Sequence, residues 1–479
     1  MHSRLRKIFS LQYFFLHHTF YIILSTLFFI LNSCKPDLKN PEPTAGDADF
    51  NKFIAVGGNY LSGYQNGALF EKGQKNSLPA LLAKQFQLVG GTAFNQPLMP
   101  DEDGLGLNSK KHESKFVQAS MLGYKTDCKG ETALKPIKDT LAYNQASIYL
   151  QSIAGNSFQN LSVPYAKISQ LFDVNLSSPY SPVTNPNPFY QRFASNSGAS
   201  TITNDAVAQQ ASFFALYTGM EDIYEYARFG GKNQNITSSG LFNLYIDSLI
   251  ERLTANGAKG VIATIPDLNT LPFFTTVPYN ALELTQNKAD SLNQLTGFLF
   301  NFQEGKNGFV IEYPNGSGNY RKLGPGEFIL LTVPLDSVKC DFLGAFTPMP
   351  DLYVIDSTEI QIIQNAITAY NTIITQKAQQ YSLALVDVNQ FFRKVKSGIK
   401  YNGADFNSTF VSGGFFSLDG FHPNQKGYAI MADEFIKAIN LKYNATIPYT
   451  NCDDCNGLNI EFKDLFSAID IKSFNETKK

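Results

Sequence analysis

Short apolar runs without alternation recur along this chain of 479 residues, separated by longer stretches with helical periodicity. Runs of this kind are typical of strands that are buried on both faces of a sheet. They predict strands at Phe53–Val56, Gln209–Tyr217, Lys259–Ile265 and Leu383–Val388, and a further strand-and-turn unit at Asn160–Ala166. Each run ends in a loop that carries Gly or polar residues.

The stretches between these runs predict helices. Apolar side chains recur three and four residues apart in Leu241–Asn256, Ala366–Gln380 and Tyr428–Ile439, and Ser77–Phe86 opens with the start signals Ser77 and Pro79. Because buried strands alternate with helices, we expect an α/β fold with a parallel sheet covered on both faces.

The carboxyl ends of parallel strands are where such folds bind their ligands. The loops after Val56, Val163, Tyr217 and Ile265 are therefore expected to meet at one edge of the sheet, together with a turn at Asp419.

Two long segments interrupt the alternation. Residues 89–114 are rich in Gly, Pro and Asp and show no period, which predicts a long loop that covers a site or an edge. Between residues 272 and 353, a helical piece at Asn280–Leu299 precedes Phe309–Val333 with its Gly- and Pro-rich turns. This second segment predicts an insertion of helix and hairpin.

The N-terminus has the features of an export signal. Arg4, Arg6 and Lys7 precede a long apolar run that ends in Asn32-Ser33-Cys34. This ending resembles the lipobox of bacterial lipoproteins, which implies that residues 1–34 hold a signal peptide and that Cys34 is lipidated. An uncleaved membrane anchor and a plain secretory peptide are the alternatives.

Residues 35–49 are rich in Pro and charge, which predicts a flexible tether. We therefore expect the body of the protein to lie outside the cytoplasm, anchored by lipid to a membrane. The expected location is the bacterial outer membrane, at its periplasmic face or at the cell surface.

Composition excludes several classes of partner. The net charge is −2, so nothing indicates nucleic acid. Three of the five histidines lie in the leader and leave only His112 and His422, which excludes a multi-histidine metal site. We expect no cofactor and no metal.

Four cysteines remain beside Cys34, at positions 128, 340, 452 and 455. Four cysteines in so long a chain do not form a disulfide framework. For Cys452 and Cys455 we expect a local disulfide or two free thiols rather than a metal or redox site.

The most informative motif is Asp419-Gly-Phe-His422-Pro423, which precedes the last predicted helix. A carboxylate three residues before a histidine can hold one imidazole nitrogen while the other stays free to take a proton. The alternative is a helix cap with a surface histidine.

Several motifs, taken in chain order, point to one family. A strand that meets a Gly turn at Val56, N-x-x-V-P at Asn160, G-x-x-D at Gly219 and D-x-x-H-P at Asp419 resemble the SGNH or GDSL hydrolases, in the lipoprotein branch of Bacteroidetes-type bacteria. The likeness covers Phe53–Asn440. It implies a three-layer, flavodoxin-like domain over residues 50–445, with an insertion at about 272–353 and a C-terminal tail at 446–479.

The resemblance also implies a mechanism, because the family hydrolyses esters. A Ser on the first turn attacks, a His oriented by Asp acts as base, and the Ser amide, a Gly amide and an Asn side chain bind the oxyanion. Asp419 and His422 match the dyad. Asn59 stands at the nucleophile position, Tyr165 at the position of the Gly, and Glu221 at that of the Asn.

These departures imply a site that no longer transfers acyl groups. Ser62 is a substitute nucleophile only if its hydroxyl reaches His422. It lies three residues after Asn59, so about one helical turn displaces its hydroxyl by about 5 Å from the nucleophile position. A hydrogen bond to His422 would not tolerate that displacement. Alternatively, Glu221 with Asp419 and His422 could activate a water directly.

The sequence supports three hypotheses of function. The first is a degenerate hydrolase that binds a glycan or a lipid-like ligand in the former ester cleft. The second is an active ester hydrolase, a lipase, esterase or carbohydrate deacetylase, with a non-standard nucleophile. The third is a structural lipoprotein of an outer-membrane complex, whose protein partner the sequence does not identify.

Overall fold

The fold is described on a computed structural model. It covers residues 42–451 except 108–115, 154, 156, 181–186, 233 and 298, together with residues 455, 457 and 458. The chain divides into two units, residues 1–42 and 43–479. The helices and strands described all belong to the second unit. The expectations for the leader, for Cys34 and for His112 fall outside the described residues.

The centre of the fold is a parallel sheet of four strands. Its order is β1 (Phe53–Gly57), β7 (Phe213–Tyr217), β8 (Lys259–Ala263) and β15 (Ala384–Val386). Phe53 pairs with Phe213, and every residue of β1 and β7 is buried. The uniformly apolar runs thus become strands covered on both sides, and the predicted α/β fold is confirmed.

Thirteen helices lie in the described residues. They are α1 (Asn59–Ser62), α2 (Glu71–Lys75), α3 (Leu78–Gln87), α4 (Tyr143–Ala146), α5 (Ile202–Ala208), α6 (Met220–Ala227), α7 (Ser239–Thr254), α8 (Pro272–Thr275), α9 (Gln286–Leu295), α10 (Leu335–Cys340), α11 (Ser357–Gln380), α12 (Val388–Ser397) and α13 (Gln425–Tyr443). Helices α3 and α13 pack together on the sheet, and α5, α7 and α11 form another group against it, which gives three layers.

Short strands outside the central sheet form small antiparallel pairs and one three-stranded sheet. They are β2 (Gly106–Leu107), β3 (Phe116–Val117), β4 (Met121–Thr126), β5 (Thr132–Ile137), β6 (Thr140–Leu141), β9 (Leu282–Leu284), β10 (Gly305–Asn307), β11 (Val310–Glu312), β12 (Tyr320–Lys322), β13 (Phe328–Ile329), β14 (Val354–Ile355), β16 (Ile399–Tyr401) and β17 (Ala404–Phe406). Strand β2 is a small exception within the loop predicted at residues 89–114.

The predicted insertion has a hydrophobic core of its own. Buried apolar side chains from residues 277–354 cluster apart from the main core, among them Leu282, Leu292 and Phe309. Strands β11 and β12 pair as a hairpin, but the helix expected at Asn280–Leu299 is only partly present. Its first part is strand β9, because Leu282 and Leu284 are buried while Glu283 between them is exposed, the alternation of a strand.

Two other predictions of elements need correction. The unit at Asn160–Ala166 runs beside β1 and makes backbone hydrogen bonds to it, yet only one bridge forms, between Ala55 and Asn160. Pro164 has no N–H with which to continue the ladder. Helix α11 begins at Ser357, well before the expected Ala366, because Asp356 and Glu359 form a capping box there.

The structure pairs Cys128 with Cys340 in a disulfide across 212 residues of sequence. This bond ties the β4–β5 hairpin to α10 and was not predicted. Cys452 of the predicted Cys452–Cys455 pair lies outside the described residues. Within the described ranges, no helix combines the length and apolar character that crossing a bilayer requires.

Candidate active site

The turn before α13 holds the dyad in a fixed geometry. Asp419 Oδ1 accepts hydrogen bonds from the backbone N–H groups of Phe421 and His422, at 2.9 and 2.8 Å. Asp419 Oδ2 accepts one from the Gly67 N–H at 3.0 Å and lies 2.8 Å from His422 Nδ1. Since a carboxylate only accepts, Nδ1 carries the proton and Nε2 is the basic nitrogen.

The carboxyl of Asp419 is kept ionised. Burial opposes ionisation, but the charge of His422 and the hydrogen bonds from His422 and Phe421 outweigh it, so the pKa of Asp419 falls below its usual value. The carboxylate is therefore ionised and placed so that it orients the imidazole ring.

An Asn-Gly turn from a distant segment supports this arrangement. The Asn66 N–H donates to Ser417 Oγ and Asn66 Oδ1 accepts from the Leu418 N–H, both at 2.9 Å. The neighbouring Gly67 N–H reaches Asp419. Sequence reasoning missed these residues, although the Asn-Gly dipeptide itself indicates a turn.

The first turn after β1 places Asn59 at the N-terminus of α1. The Asn59 N–H donates to Glu221 Oε1 at 2.6 Å. Asn59 Oδ1 accepts from the Tyr165 N–H at 2.8 Å. Asn59 thus links Tyr165 and Glu221, the two other positions that depart from the family pattern. The Asn59 N–H is bonded to the Glu221 side chain and the Tyr165 N–H to the Asn59 side chain.

Gly58 makes room for the Glu221 carboxyl. A Cβ on Gly58 would lie 1.8 Å from Glu221 Oε1, which no side chain can tolerate. Glu221 is 2 % exposed, and burial raises its pKa to about 8 even though the Asn59 N–H bond acts to lower it. The carboxyl is therefore mostly neutral at pH 7.

The next residue, Asp222, has a structural role. Its Oδ2 accepts from the Ile168 N–H at 2.9 Å, and its Oδ1 accepts from the Thr237 hydroxyl. The G-x-x-D motif thus ties α6 to the segment after Tyr165.

Tyr165 keeps the backbone conformation of a glycine. Its φ is +62°, in the left-handed region that disfavours side chains. The Tyr165 hydroxyl donates to the Tyr64 hydroxyl at 2.8 Å, and the Arg228 guanidinium lies 4.8 Å from the centre of the Tyr165 ring. Contacts of the added side chain thus stabilise the strained residue.

Ser62 is already engaged. Its hydroxyl donates to the Asn59 carbonyl oxygen at 2.9 Å, and the residue is 2 % exposed. The bond closes one turn of α1 and points the hydroxyl back along the helix.

Aromatic rings enclose the imidazole. The rings of Phe421, Tyr64, Tyr60 and Tyr224 have centroids 4.8 to 6.4 Å from that of His422. His422 is 1 % exposed, so the alternative of a surface histidine is wrong. The structure buries the base under aromatic side chains.

Three polar atoms of the site have no hydrogen-bond partner within the described residues. They are Asn59 Nδ2, Glu221 Oε2 and His422 Nε2. The segment after Ile265 also reaches the dyad's turn, since the Phe273 N–H donates to the Gly420 carbonyl oxygen at 2.8 Å. Within the described part of the chain, no cluster of three His, Cys, Asp or Glu side chains could hold a metal ion.

A family model described as GDSL-like Lipase/Acylhydrolase matches residues 142–435, more than half of the chain. The chain belongs to the GDSL-like lipase/acylhydrolase family. The matched range of this GDSL-like protein includes Tyr165, Glu221, Asp419 and His422, whereas Asn59 precedes it.

Solved structures similar to this GDSL-like protein share little sequence with it. LAE5, an α/β hydrolase enzyme from the metagenome of Lake Arreo in Spain, is 10% identical with a TM-score of 0.33, over 82% of this chain and 96% of its own. A lipase/acylhydrolase from Enterococcus faecalis is 9% identical with a TM-score of 0.30, over 83% and 98%. A peptidoglycan O-acetylesterase is 10% identical with a TM-score of 0.31, over 83% and 93%. No curated protein matches the chain significantly.

Proposed function

We propose that this GDSL-like protein is a lipid-anchored, extracytoplasmic binding protein whose ester-hydrolase site is degenerate. One observation carries the proposal. The two backbone N–H groups at the oxyanion positions, those of Asn59 and Tyr165, donate to Glu221 and to Asn59 itself.

Ester hydrolysis needs free donors where negative charge develops in the transition state. Here the protein's own side chains already accept from both donors, at 2.6 and 2.8 Å. The third position holds Glu221, whose Oε1 accepts from the Asn59 N–H and so occupies that donor. An oxyanion would have to displace two short buried hydrogen bonds, and removing one oxyanion donor from an active enzyme already costs roughly 3 to 4 kcal/mol.

The nucleophile position gives a second reason. Asn59 carries an amide, which is neither nucleophilic nor easily activated by a histidine base. Ser62 supplies no replacement, since its hydroxyl donates to the Asn59 carbonyl. Direct activation of water by Glu221 is disfavoured because its carboxyl is bonded to the Asn59 N–H and is mostly neutral.

The extracytoplasmic location rests on two features. The first is the leader that ends at Cys34. The second is the Cys128–Cys340 disulfide, which persists in oxidising compartments. A short tether from a lipidated Cys34 would hold the folded unit near a membrane, where a binding function for a surface glycan or lipid-like ligand is useful.

The test is ester turnover by the full-length chain in detergent, with p-nitrophenyl esters of several chain lengths and a fluorophosphonate probe. We expect neither turnover nor labelling above the level of His422→Ala. Asn59→Ser combined with Glu221→Asn and Tyr165→Gly supplies a hydroxyl and a side-chain amide donor and opens the enclosure around His422, and we expect this variant to be labelled at residue 59. Labelling of wild type at Ser62, or turnover that depends on His422, would refute the proposal.

A further inference from the structure

An irregular loop at residues 91–99 is held in place by buried polar side chains. Gln74 donates from Nε2 to the Pro97 carbonyl oxygen at 3.0 Å and accepts from the Met99 N–H at 2.6 Å. Arg192 donates to the carbonyl oxygens of Pro97 and Leu98, at 3.2 and 2.9 Å. The loop is therefore fixed by side chains rather than by regular secondary structure.

The use of Arg192 here is costly. The residue is 3 % exposed, and within the described residues it pairs with no carboxylate, so burial lowers its pKa to about 10. Burying an unpaired cation costs several kcal/mol. A loop fixed at that cost is preorganised, as loops that bind ligands commonly are.

Gln96 anchors the same loop from a second direction. Its Nε2 donates to the Gln74 carbonyl oxygen at 2.9 Å, and its Oε1 accepts from Ser77 Oγ and Asn160 Nδ2, at 3.2 and 2.9 Å. Asn160 belongs to the N-x-x-V-P segment that the degenerate ester site does not use directly.

This loop borders a cavity of about 840 Å³ together with α3 and residues 157–158, a size typical of ligand sites. Phe94 and Phe158 are half-buried in its wall. The Phe94 ring stacks on Phe53 at 5.2 Å, and the Phe158 ring packs on Phe193 at 6.0 Å. Both rings thus pack against buried aromatic rings of the core.

The polar lining has a positive bias. No carboxylate lines the cavity, whereas two lysines do. Lys75 is paired with Glu71 at 2.6 Å, but Lys84 makes no ion pair or hydrogen bond with any described residue. The Asn95 side chain is exposed and makes none either, so an amide and an ammonium group remain available at the rim.

We propose that this cavity binds an oligosaccharide that carries a carboxylate, with the sugar faces against the phenyl rings, hydroxyls on the amides and the acid on Lys84. The proposal rests on the binding role proposed above and moves the ligand away from the enclosed dyad. A fatty acyl chain fits poorly, because six of the eleven lining residues are polar.

The probe is an array of uronic-acid oligosaccharides with their neutral counterparts, with calorimetry on the strongest binder and the full-length chain. We expect wild type to bind acidic members. Lys84→Gln should weaken binding about tenfold, the effect of losing one hydrogen bond to a charged group, and Asn95→Ala about fivefold, the effect of losing a neutral one. Lys437→Gln, an exposed lysine on α13, is the matched control and should bind normally.

Absence of binding to every acidic oligosaccharide would overturn the proposal, as would equal affinity for the neutral counterparts or binding insensitive to Lys84 and Asn95. Ester turnover is measured on the same samples. Turnover that depends on His422 would refute only the proposal of a degenerate site. Failure to bind acidic oligosaccharides on the array would refute only the assignment of the cavity.

Discussion

The two halves of the candidate active site use their hydrogen-bonding groups in opposite ways. The base half, from Asp419 to His422, keeps an ionised carboxylate that holds one imidazole nitrogen at 2.8 Å. The acceptor half is built on Asn59, Tyr165 and Glu221. Its backbone N–H groups, those of Asn59 and Tyr165, donate to side chains of the same half. The first half thus has the hydrogen bonds of an oriented histidine, whereas the backbone donors of the second half are already bonded within the protein.

The difference reflects how each half is held together. Most of the dyad's hydrogen bonds come from within one four-residue turn, so the turn also serves the fold by opening α13. The acceptor half joins three segments that are distant in sequence, and its groups matter for catalysis only when they stay free. Where these groups bond to one another, as Asn59, Tyr165 and Glu221 do, their mutual satisfaction lowers the energy of the fold.

Gly58→Ala should have the largest effect on stability. The new Cβ would meet the Glu221 carboxyl at 1.8 Å, so we expect a loss of at least about 3 kcal/mol in the free energy of unfolding. Denaturant unfolding measures it. In a Glu221→Gly background the clash is gone, and most of the cost should disappear; an equal cost there would contradict the packing of these two residues.

Ionisation of Glu221 should destabilise the protein at high pH. The folded-state pKa is about 8, above the value of about 4.3 expected in the unfolded chain. The folded state therefore binds more protons in this interval, and the free energy of unfolding should fall by a few kcal/mol as pH rises from about 5 to 8, then level off.

Glu221→Gln is the matched variant for that titration. It keeps an acceptor for the Asn59 N–H and cannot ionise, so the fall between about pH 5 and 8 should be much shallower. The same slope in both proteins would show that another group is responsible.

Asp419→Asn should lower the free energy of unfolding by about 2 kcal/mol. The amide NH₂ of the new side chain would face the Gly67 N–H and His422 Nδ1–H, so these buried donors would lose their acceptor. The pKa of Asp419 is lowered in the folded state, so its stabilisation is present above about pH 4 and is lost as pH falls through the folded-state value. The free energy of unfolding should therefore fall less steeply with decreasing pH in the variant than in wild type.

His422→Ala is the comparison for this substitution. It leaves the Asp419 carboxylate with its three backbone donors but removes a buried ring, so the cavity adds to the lost hydrogen bond and we expect a loss of at least about 2 kcal/mol. A loss well below that of Asp419→Asn would mean that the carboxylate, rather than the ring, holds the turn.

Tyr165→Gly should change stability least, within about 1 kcal/mol. Relief of the left-handed backbone at φ +62° offsets the lost contacts with Tyr64 and Arg228. The variant should nevertheless open a path to His422, which diethylpyrocarbonate would then modify faster than in wild type. Tyr165→Phe keeps the ring and serves as control, and unchanged modification in the Gly variant would show that other rings close the site.

The sequence predicts those parts of this structure that depend on local patterns. The apolar runs identify the four central strands, and Asp419 and His422 stand three residues apart in one turn. Contacts between distant segments escaped prediction. The clearance that Gly58 gives Glu221, the Asn59–Tyr165 bond and the Cys128–Cys340 disulfide each join residues whose partnership no local period reveals.

The central claim is that the Asn59 and Tyr165 N–H groups are bonded inside the protein, and amide hydrogen exchange monitored by NMR tests it most directly. We predict that both amides exchange as slowly as those of Phe421 and His422, and that Glu221→Ala speeds exchange at Asn59 while leaving His422 unchanged. Fast exchange of Asn59 and Tyr165 in wild type would mean that the donors are free, and would contradict the account of a closed site.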